Sequence, residues 1–369
     1  MTRQRQAAGC RRTRGRVSRK RQRIQSGKPP KTGSFALMPE MVPDMATAVI
    51  DLAFFPALAL AIRPALWQGK QKVNRIFVPL LLLMALANLL VHLQALGVAQ
   101  TAQRATDAML YLTLLLITIL AGRVMPFFTK AVLPDVEPKR WAWLEWISTL
   151  SMIGLIMLQL LYPQQTALSL LALVSAISLG LRVSGWHDLR IWHIPMLWIL
   201  FLALLWIIIG LLLVALSHFA PALTNAATHA LTIGGIGIMT LGMMPRVALG
   251  HTGRRLEPSR LTVLAFAILN LGTVVRVFGP LVLTQSYFFI IHLSGGLWIL
   301  AFLLFCVVYL SANPAQAPDR WQTWLNTRSG QRQCEDLRMP TAKIRSAPCT
   351  AFKQLDLRRP KTALNGLCQ

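Results

Sequence analysis

Residues 194–216 read IPMLWILFLALLWIIIGLLLVAL, a run without a single charged side chain. A helix that crosses a bilayer needs roughly 20 mostly apolar residues, and this run meets that length. Because lipid cannot satisfy backbone polar groups, only helices and closed barrels span membranes. The run, which includes Ile207, Ile208 and Ile209, shows none of the polar–apolar alternation of a barrel strand. It therefore predicts a membrane-spanning helix.

Eight further apolar segments of similar length surround this run. We predict an all-α fold, a polytopic membrane helix bundle with about nine visible transmembrane helices, over residues 46–313. A basic, disordered N-terminal arm over 1–45 and a basic, disordered cytoplasmic tail over 314–369 complete the predicted organisation. The predicted spans are about 46–66, 77–97, 107–128, 141–162, 165–182, 194–216, 223–246, 260–280 and 285–312.

The net charge of +25 is concentrated at the two ends of the chain. Residues 1–33 hold 12 of the 38 Lys and Arg residues and none of the 13 acids, whereas 54% of the whole chain is hydrophobic. This composition excludes a soluble enzyme, a disordered protein and a disulfide scaffold. The first aromatic residue is Phe35, so the arm lacks the interleaved aromatic residues of a nucleic-acid-binding segment, and we expect no nucleic-acid partner.

The bases between the predicted spans alternate along the chain. Connections one–two, three–four, five–six and seven–eight contain Lys or Arg, and we assign Arg123, Arg182 and Arg246 to them as topology signals. The other connections contain only Arg104, so the positive-inside rule places the C-terminus in the cytoplasm. Nine spans then place the basic arm outside, against the same rule. We expect an arm foreign to the fold, from an incorrect start or a truncated frame; a real extension before an inverted or non-spanning first helix is the alternative.

Ionisable residues within the predicted spans are the candidates for function. Three histidines, His92, His229 and His292, fall roughly 7–11 Å below the outer surface at about 1.5 Å per residue. Arg276 and Asp51 fall in the same layer. Facing imidazoles can ligate haem iron or another metal. The competing interpretation is that each histidine bonds a neighbouring carbonyl or extends outward.

Other side chains would support such a site. Arg276 suits a haem propionate, Asn88 is one turn from His92, and Asp51 offers a carboxylate. Met239 and Met243 are soft-metal candidates, although methionine is also an ordinary core residue. Asp107 lies at the rim of the layer, and His218 is expected to be solvated on an outer loop.

Residues 229–256 read HALTIGGIGIMTLGMMPRVALGHTGRRL and closely resemble the signature of the NnrS family. Residues 51–64 and 121–129 resemble two further family blocks, and the resemblance covers roughly 45–315. Arg123 and Pro126 match the second of these blocks. The matching signature residues, which we place on the cytoplasmic side after His229, are Arg246, Gly250, His251, Thr252, Gly253 and Arg254.

The resemblance implies a protein of the bacterial inner membrane that contains haem and copper and acts in the nitric oxide response. It also implies about twelve helices, including a Trp-His-x-His-Glu segment that residues 1–45 lack. About three N-terminal helices are therefore expected to be missing. The implied partners are the lipid bilayer and nitric oxide or a related small molecule, and no electron donor is identified.

Three functional hypotheses remain open from the sequence. The first is a haem or metal protein of nitric oxide tolerance, the second a metal-free transporter using Arg276 and Asp51, and the third a bis-histidine haem electron carrier. No hydrolase or nucleotide-hydrolysis motif is present in the sequence. Redox or nitric oxide chemistry at a haem or copper site stays open, and no catalytic residue is predicted.

Overall fold

A computed structural model describes residues 44–69, 72–161, 165–251 and 257–310 of the chain. These residues form helices and connecting turns, without a β-strand among them. Nine helical segments within these ranges are long and apolar enough to cross a membrane, which confirms the predicted all-α bundle. Thr252, Gly253 and Arg254, and nearly all of the predicted arm and tail, lie outside the described residues.

Ten α-helices make up the nine spans, because a π-helical segment divides the seventh span into two α-helices. Helical hydrogen bonding satisfies the backbone polar groups within each span, as lipid requires. The helices are α1 (Asp44–Gln68), α2 (Phe77–Ala95), α3 (Ala102–Val132), α4 (Ala142–Leu161), α5 (Gln165–Ser184), α6 (Pro195–Ser217), α7 (Leu223–His229), α8 (Ile238–His251), α9 (Arg260–Val282) and α10 (Tyr287–Leu310).

The sixth helix occupies the centre of the bundle. It packs against α5, α7, α8 and the π segment, and its fully buried residues recur every three or four positions, as Leu197, Leu200, Leu204 and Leu211 show. Helices α1 and α10 are the least buried spans. The most apolar predicted span is therefore the core of the fold, and the first and last described helices form its periphery.

The π segment comprises Ala230–Gly237 and joins α7 to α8. Its glycines permit close approach to α6: a Cβ at Gly234 would lie 2.7 Å from Trp206 Cβ, and one at Gly235 would lie 2.6 Å from Ile207 Cγ1. Such close packing through small residues is a common way for membrane helices to associate. A π segment is uncommon and is frequently found at functional sites.

The assignment of three arginines to the basic connections is wrong. Arg123 lies within α3, Arg182 within α5 and Arg246 within α8. Arg182 is 4% exposed and Arg246 is 8% exposed, so both are buried in the bundle. Their charges have intramolecular partners that a count of bases along the sequence does not reveal.

Candidate functional site

A polar cluster joins α1 to α2 within the bundle. His92 Nε2 lies 3.0 Å from Asp51 Oδ2, and Asn88 Nδ2 donates to the same oxygen at 3.1 Å. His92 is 5% exposed. Asn88 therefore reaches His92 through Asp51 rather than by contacting the imidazole itself.

This geometry affects whether His92 can serve as a metal ligand. Its Nε2 atom is already engaged by the Asp51 carboxylate, and its ring is buried between helices. The principal packing partners of α2 are α1 and α3, which carry no other histidine. Ligation through Nε2 would require Asp51 to move, so the arrangement suits a structural hydrogen bond better than a haem ligand.

His229 and Arg276 form a second polar pair on packed helices. His229 is the last residue of α7, and α7 packs against α9, which carries Arg276. Arg276 lies close enough to His229 to act on it electrostatically. The guanidinium Nε of Arg276 is buried without a hydrogen-bond partner among the described residues. This pair combines a half-buried imidazole with a cation that has room for an anionic partner.

His292 lies on the outward face of α10. The face of α10 toward α9 contains Ile290, since a Cβ at Gly279 would lie 2.8 Å from Ile290 Cγ2, and also Ser294. His292 is two residues from each and therefore projects to the opposite side, where it is exposed. Its Nδ1 lies 2.7 Å from the Phe288 carbonyl, so Nδ1 donates to its own helix.

The three candidate histidines therefore do not converge on one site. His92 belongs to the α1–α2 pair, His229 to α7 beside α9, and His292 to the exposed side of α10. Within the described ranges, no group of three or more His, Cys, Asp and Glu side chains is arranged to hold a metal ion.

The two methionine candidates follow the π segment. Met239 and Met243 are half-buried on α8 and pack against the hydrophobic core. A regular α-helix, with 100° of rotation per residue, would place both methionines on the same side as His229. That rotation does not hold across Ala230–Gly237, because hydrogen bonds from residue i to i+5 widen the turn.

Arg246 anchors the end of the family signature that was predicted to be cytoplasmic. Its Nη2 donates to the Met196 carbonyl at 2.7 Å, and the guanidinium carbon lies 4.0 Å from the ring centroid of Phe128. These contacts tie α8 to α6 and α3. Gly250 is an exposed residue near the end of α8, with nothing within 4 Å of a Cβ placed there, and His251 is the last residue of that helix.

A cavity at the opposite end of the bundle was missed from the sequence. It has a volume of about 290 Å³ and is lined by residues of α3, α4, α5, α6 and α7, including Asp107, Gln159 and His218. His218, which was expected to be solvated, is half-exposed, but its Nδ1 is buried and has no hydrogen-bond partner among the described residues. We call this feature the outer cavity, since the positive-inside rule assigns that end to the outside.

Nine apolar spans with isolated polar side chains buried between them define a multi-pass integral membrane protein. The profile of the family described as NnrS protein matches residues 32–312, which is most of the chain. The chain therefore belongs to the NnrS family, and the match begins inside the segment predicted as the arm. Membership supports, at a coarse level, a membrane protein related to the nitric oxide response. No curated protein and no solved structure gives a significant match.

Proposed function

We propose that this protein binds haem in the membrane and contributes to the nitric oxide response, with His229 as the iron ligand. The observation that carries the proposal is the buried Nε of Arg276, which has no protein partner among the described residues and belongs to α9, the helix that packs against the α7 helix ending at His229. An imidazole can ligate iron, and a guanidinium can bind a propionate. The residues at the α7–α9 contact therefore fit both ends of a haem group.

A single nearby imidazole favours one of the haem hypotheses over the other. Haem ligated on one side supplies an iron position to which a small ligand such as nitric oxide can coordinate. A bis-histidine electron carrier needs a second imidazole on the same iron. His92 is engaged by Asp51, and His292 projects away from α9, so neither supports that alternative.

Copper remains a separate part of the proposal. Met239 and Met243 are one turn apart on α8 and carry thioethers, which suit the soft cuprous ion. Both also pack against the core, as ordinary methionines do. Cuprous titration of the purified protein, with Met239→Leu and Met243→Leu variants, tests whether these side chains contribute to copper binding.

The setting of the proposed activity is the bacterial inner membrane, with the C-terminus in the cytoplasm. The alternation of bases supports this orientation, although Arg123, Arg182 and Arg246 lie within helices and the last two are buried. Exposed bases in the same connections still support it, including Arg140 and Arg190. Reporter fusions after residues 97, 163 and 310 test the sidedness: the first two are expected outside and the third inside.

A metal-free transporter is the second candidate, and the outer cavity favours it. A polar cavity within a helix bundle is typical of a substrate site in a carrier. The transporter hypothesis predicts a colourless protein, whereas the haem hypothesis predicts a coloured one. The colour of one purified preparation therefore distinguishes the transporter hypothesis from the haem hypothesis.

The experiment is an absorption spectrum of the full chain purified in detergent from haem-replete cells. The proposal predicts a Soret band that shifts when nitric oxide is added anaerobically. A protein without bound haem, or one whose Soret band is unchanged by nitric oxide, would overturn it. The matched variant is Arg276→Gln, which keeps a polar side chain of similar reach but removes the charge expected to hold a propionate; we expect reduced haem retention.

A further inference from the structure

The outer cavity presents hydrogen-bond acceptors around a single carboxylate. Asp107 Oδ2 accepts from Gln159 Nε2 at 2.7 Å, and both carboxylate oxygens lie 3.2–3.3 Å from Gln103 Nε2. These amides orient the carboxylate between α3 and α4. An ionised carboxylate has about four acceptor positions, so capacity for further donors remains.

Two hydroxyl groups of the lining add acceptors rather than donors. Ser217 Oγ donates to the Val214 carbonyl at 2.7 Å, and Thr228 Oγ1 donates to the Thr224 carbonyl at 3.1 Å. Once its single proton is used in this way, each hydroxyl can only accept further hydrogen bonds. The lining thus favours a ligand that is rich in N–H or O–H donors.

His218 contributes a polar atom that lacks a protein partner. Its Nδ1 is buried, and no described residue offers it a hydrogen bond. Burying a polar atom without a partner costs free energy, so a ligand or a water molecule is expected to supply the missing hydrogen bond. The imidazole lies at the end of α6 and lines the same cavity as Asp107.

The charge and shape of the cavity narrow the ligand class. Its lining contains one Asp and neither Lys nor Arg, so the ionised Asp107 carboxylate has no cationic Lys or Arg beside it in the lining. The apolar part of the wall includes Leu110, Leu168 and Leu231. At about 290 Å³ the cavity is much larger than the 30 Å³ or so that one water occupies in the liquid. A small amphiphilic cation fits this combination.

A divalent metal ion fits less well. The cavity offers one carboxylate and one imidazole, and no group of three His, Cys, Asp and Glu ligands occurs in the part of the chain that the structure describes. Metal sites generally use three or four such protein ligands. An ammonium group needs only a carboxylate and neutral acceptors, and the lining supplies these.

We propose that the outer cavity is a binding site for a small primary alkylamine in its ammonium form. The ammonium group donates to the Asp107 carboxylate and to the hydroxyl oxygens of the lining. The alkyl chain lies against the leucines. This site is separate from the His229–Arg276 pair, and the proposal does not depend on haem binding.

The test compares four probes on the full chain purified in detergent. Isothermal titration calorimetry and thermal unfolding are measured with n-butylammonium chloride, n-butanol, sodium butyrate and tetramethylammonium chloride. The proposal predicts saturable binding and a raised unfolding temperature for n-butylammonium alone. Equal effects of n-butanol or tetramethylammonium, stronger effects of butyrate, or no saturable binding of n-butylammonium would each overturn it.

A charge-removing variant tests the role of Asp107. Asp107→Asn keeps the side-chain shape and should weaken n-butylammonium binding about tenfold to a hundredfold, because a charge-assisted hydrogen bond is lost. Glu137→Gln removes an exposed carboxylate outside the cavity and should leave binding unchanged. Unchanged affinity in a folded Asp107→Asn protein would also overturn the proposal. If that variant does not fold, the comparison of probes on the unmodified chain decides the question.

Discussion

His92 Nε2 and Asp51 Oδ2 lie 3.0 Å apart and join two helices that are otherwise unequal in burial. The most apolar stretch of α1 is 6% buried, against 28% for α2. Because α1 buries few of its residues, its polar contact with α2 contributes a larger share of the interactions that hold α1 in place. We infer that this pair fixes the register of α1 on the rest of the bundle.

Replacing Asp51 should loosen the α1–α2 contact. Asp51→Leu removes the carboxylate that His92 and Asn88 share and leaves Asn88 only the weaker bond to the backbone carbonyl of residue 51, at a cost of about 1–2 kcal/mol in a membrane setting. Asp51→Asn retains one acceptor oxygen and should cost less. Unfolding in mixed detergent–dodecyl sulfate micelles measures both changes. Equal stability of the Leu variant and the unmodified protein would refute a structural role for the pair.

The close packing of the π segment on α6 predicts sensitivity to a single methyl group. Gly234→Ala places a Cβ 2.7 Å from Trp206 Cβ and should destabilise the protein by about 1–3 kcal/mol. Gly295→Ala is the matched control, since nothing lies within 4 Å of a Cβ there. Alanine is the better helix former, so the control should be neutral or slightly stabilising. Thermal unfolding in detergent should rank Gly234→Ala below Gly295→Ala, and the reverse ranking would contradict the packing.

The buried Arg182 predicts a coupling with Ser148. Arg182 Nη1 donates to Ser148 Oγ at 3.0 Å, and the guanidinium carbon lies 5.4 Å from the Trp186 ring centroid. Ser148→Ala removes an acceptor from a buried cation and should cost about 1–3 kcal/mol. In an Arg182→Met background the same change should cost almost nothing. A double-mutant cycle measures the difference, and additive effects would show that the two residues do not interact.

A pH dependence is expected where Arg190 joins two connections between spans. Its guanidinium contacts Asp135 at 2.7 Å and Asp188 at 2.9 Å, and its hydrogen bonds lower the pKa of both carboxyls from 3.8. The stabilisation is therefore present above that pH and is lost as pH falls through the lowered values. Protection from hydrogen exchange at residues 188–193, expressed relative to the intrinsic exchange rate at each pH, should therefore fall in acid. Arg190→Gln should show the faster exchange at neutral pH, and an unchanged rate would contradict the link.

The sequence predicts the number and type of the spans because hydropathy alone determines which segments can cross lipid. It does not predict which arginines are buried near the ends of those spans. Arg182 and Arg246 read as topology signals, but each is enclosed by partners from other helices. Gly122 illustrates the reason, since a Cβ there would collide with the guanidinium of Arg182. Such long-range pairing follows from packing rather than from local sequence.

The candidate site was only partly predictable for a similar reason. Counting residues along each helix places His92, His229 and His292 at similar depth in the membrane. Depth alone does not determine whether their side chains meet. The direction of each side chain around its helix depends on which helices pack together, and His292 faces away from α9. The π segment after His229 further changes the rotation that an α-helix would give. The sequence did not predict that His218 lines a cavity, because a residue at the end of a helix can face either the solvent or a cavity.

The most direct test of the central claim is the haem content of histidine variants, measured by pyridine haemochrome on purified protein. The account predicts that His229→Ala loses haem, that added imidazole restores it, and that His92→Ala and His292→Ala, when folded, retain it. Retention of haem by His229→Ala, or its loss only in His292→Ala, would contradict the assignment of His229 as the iron ligand.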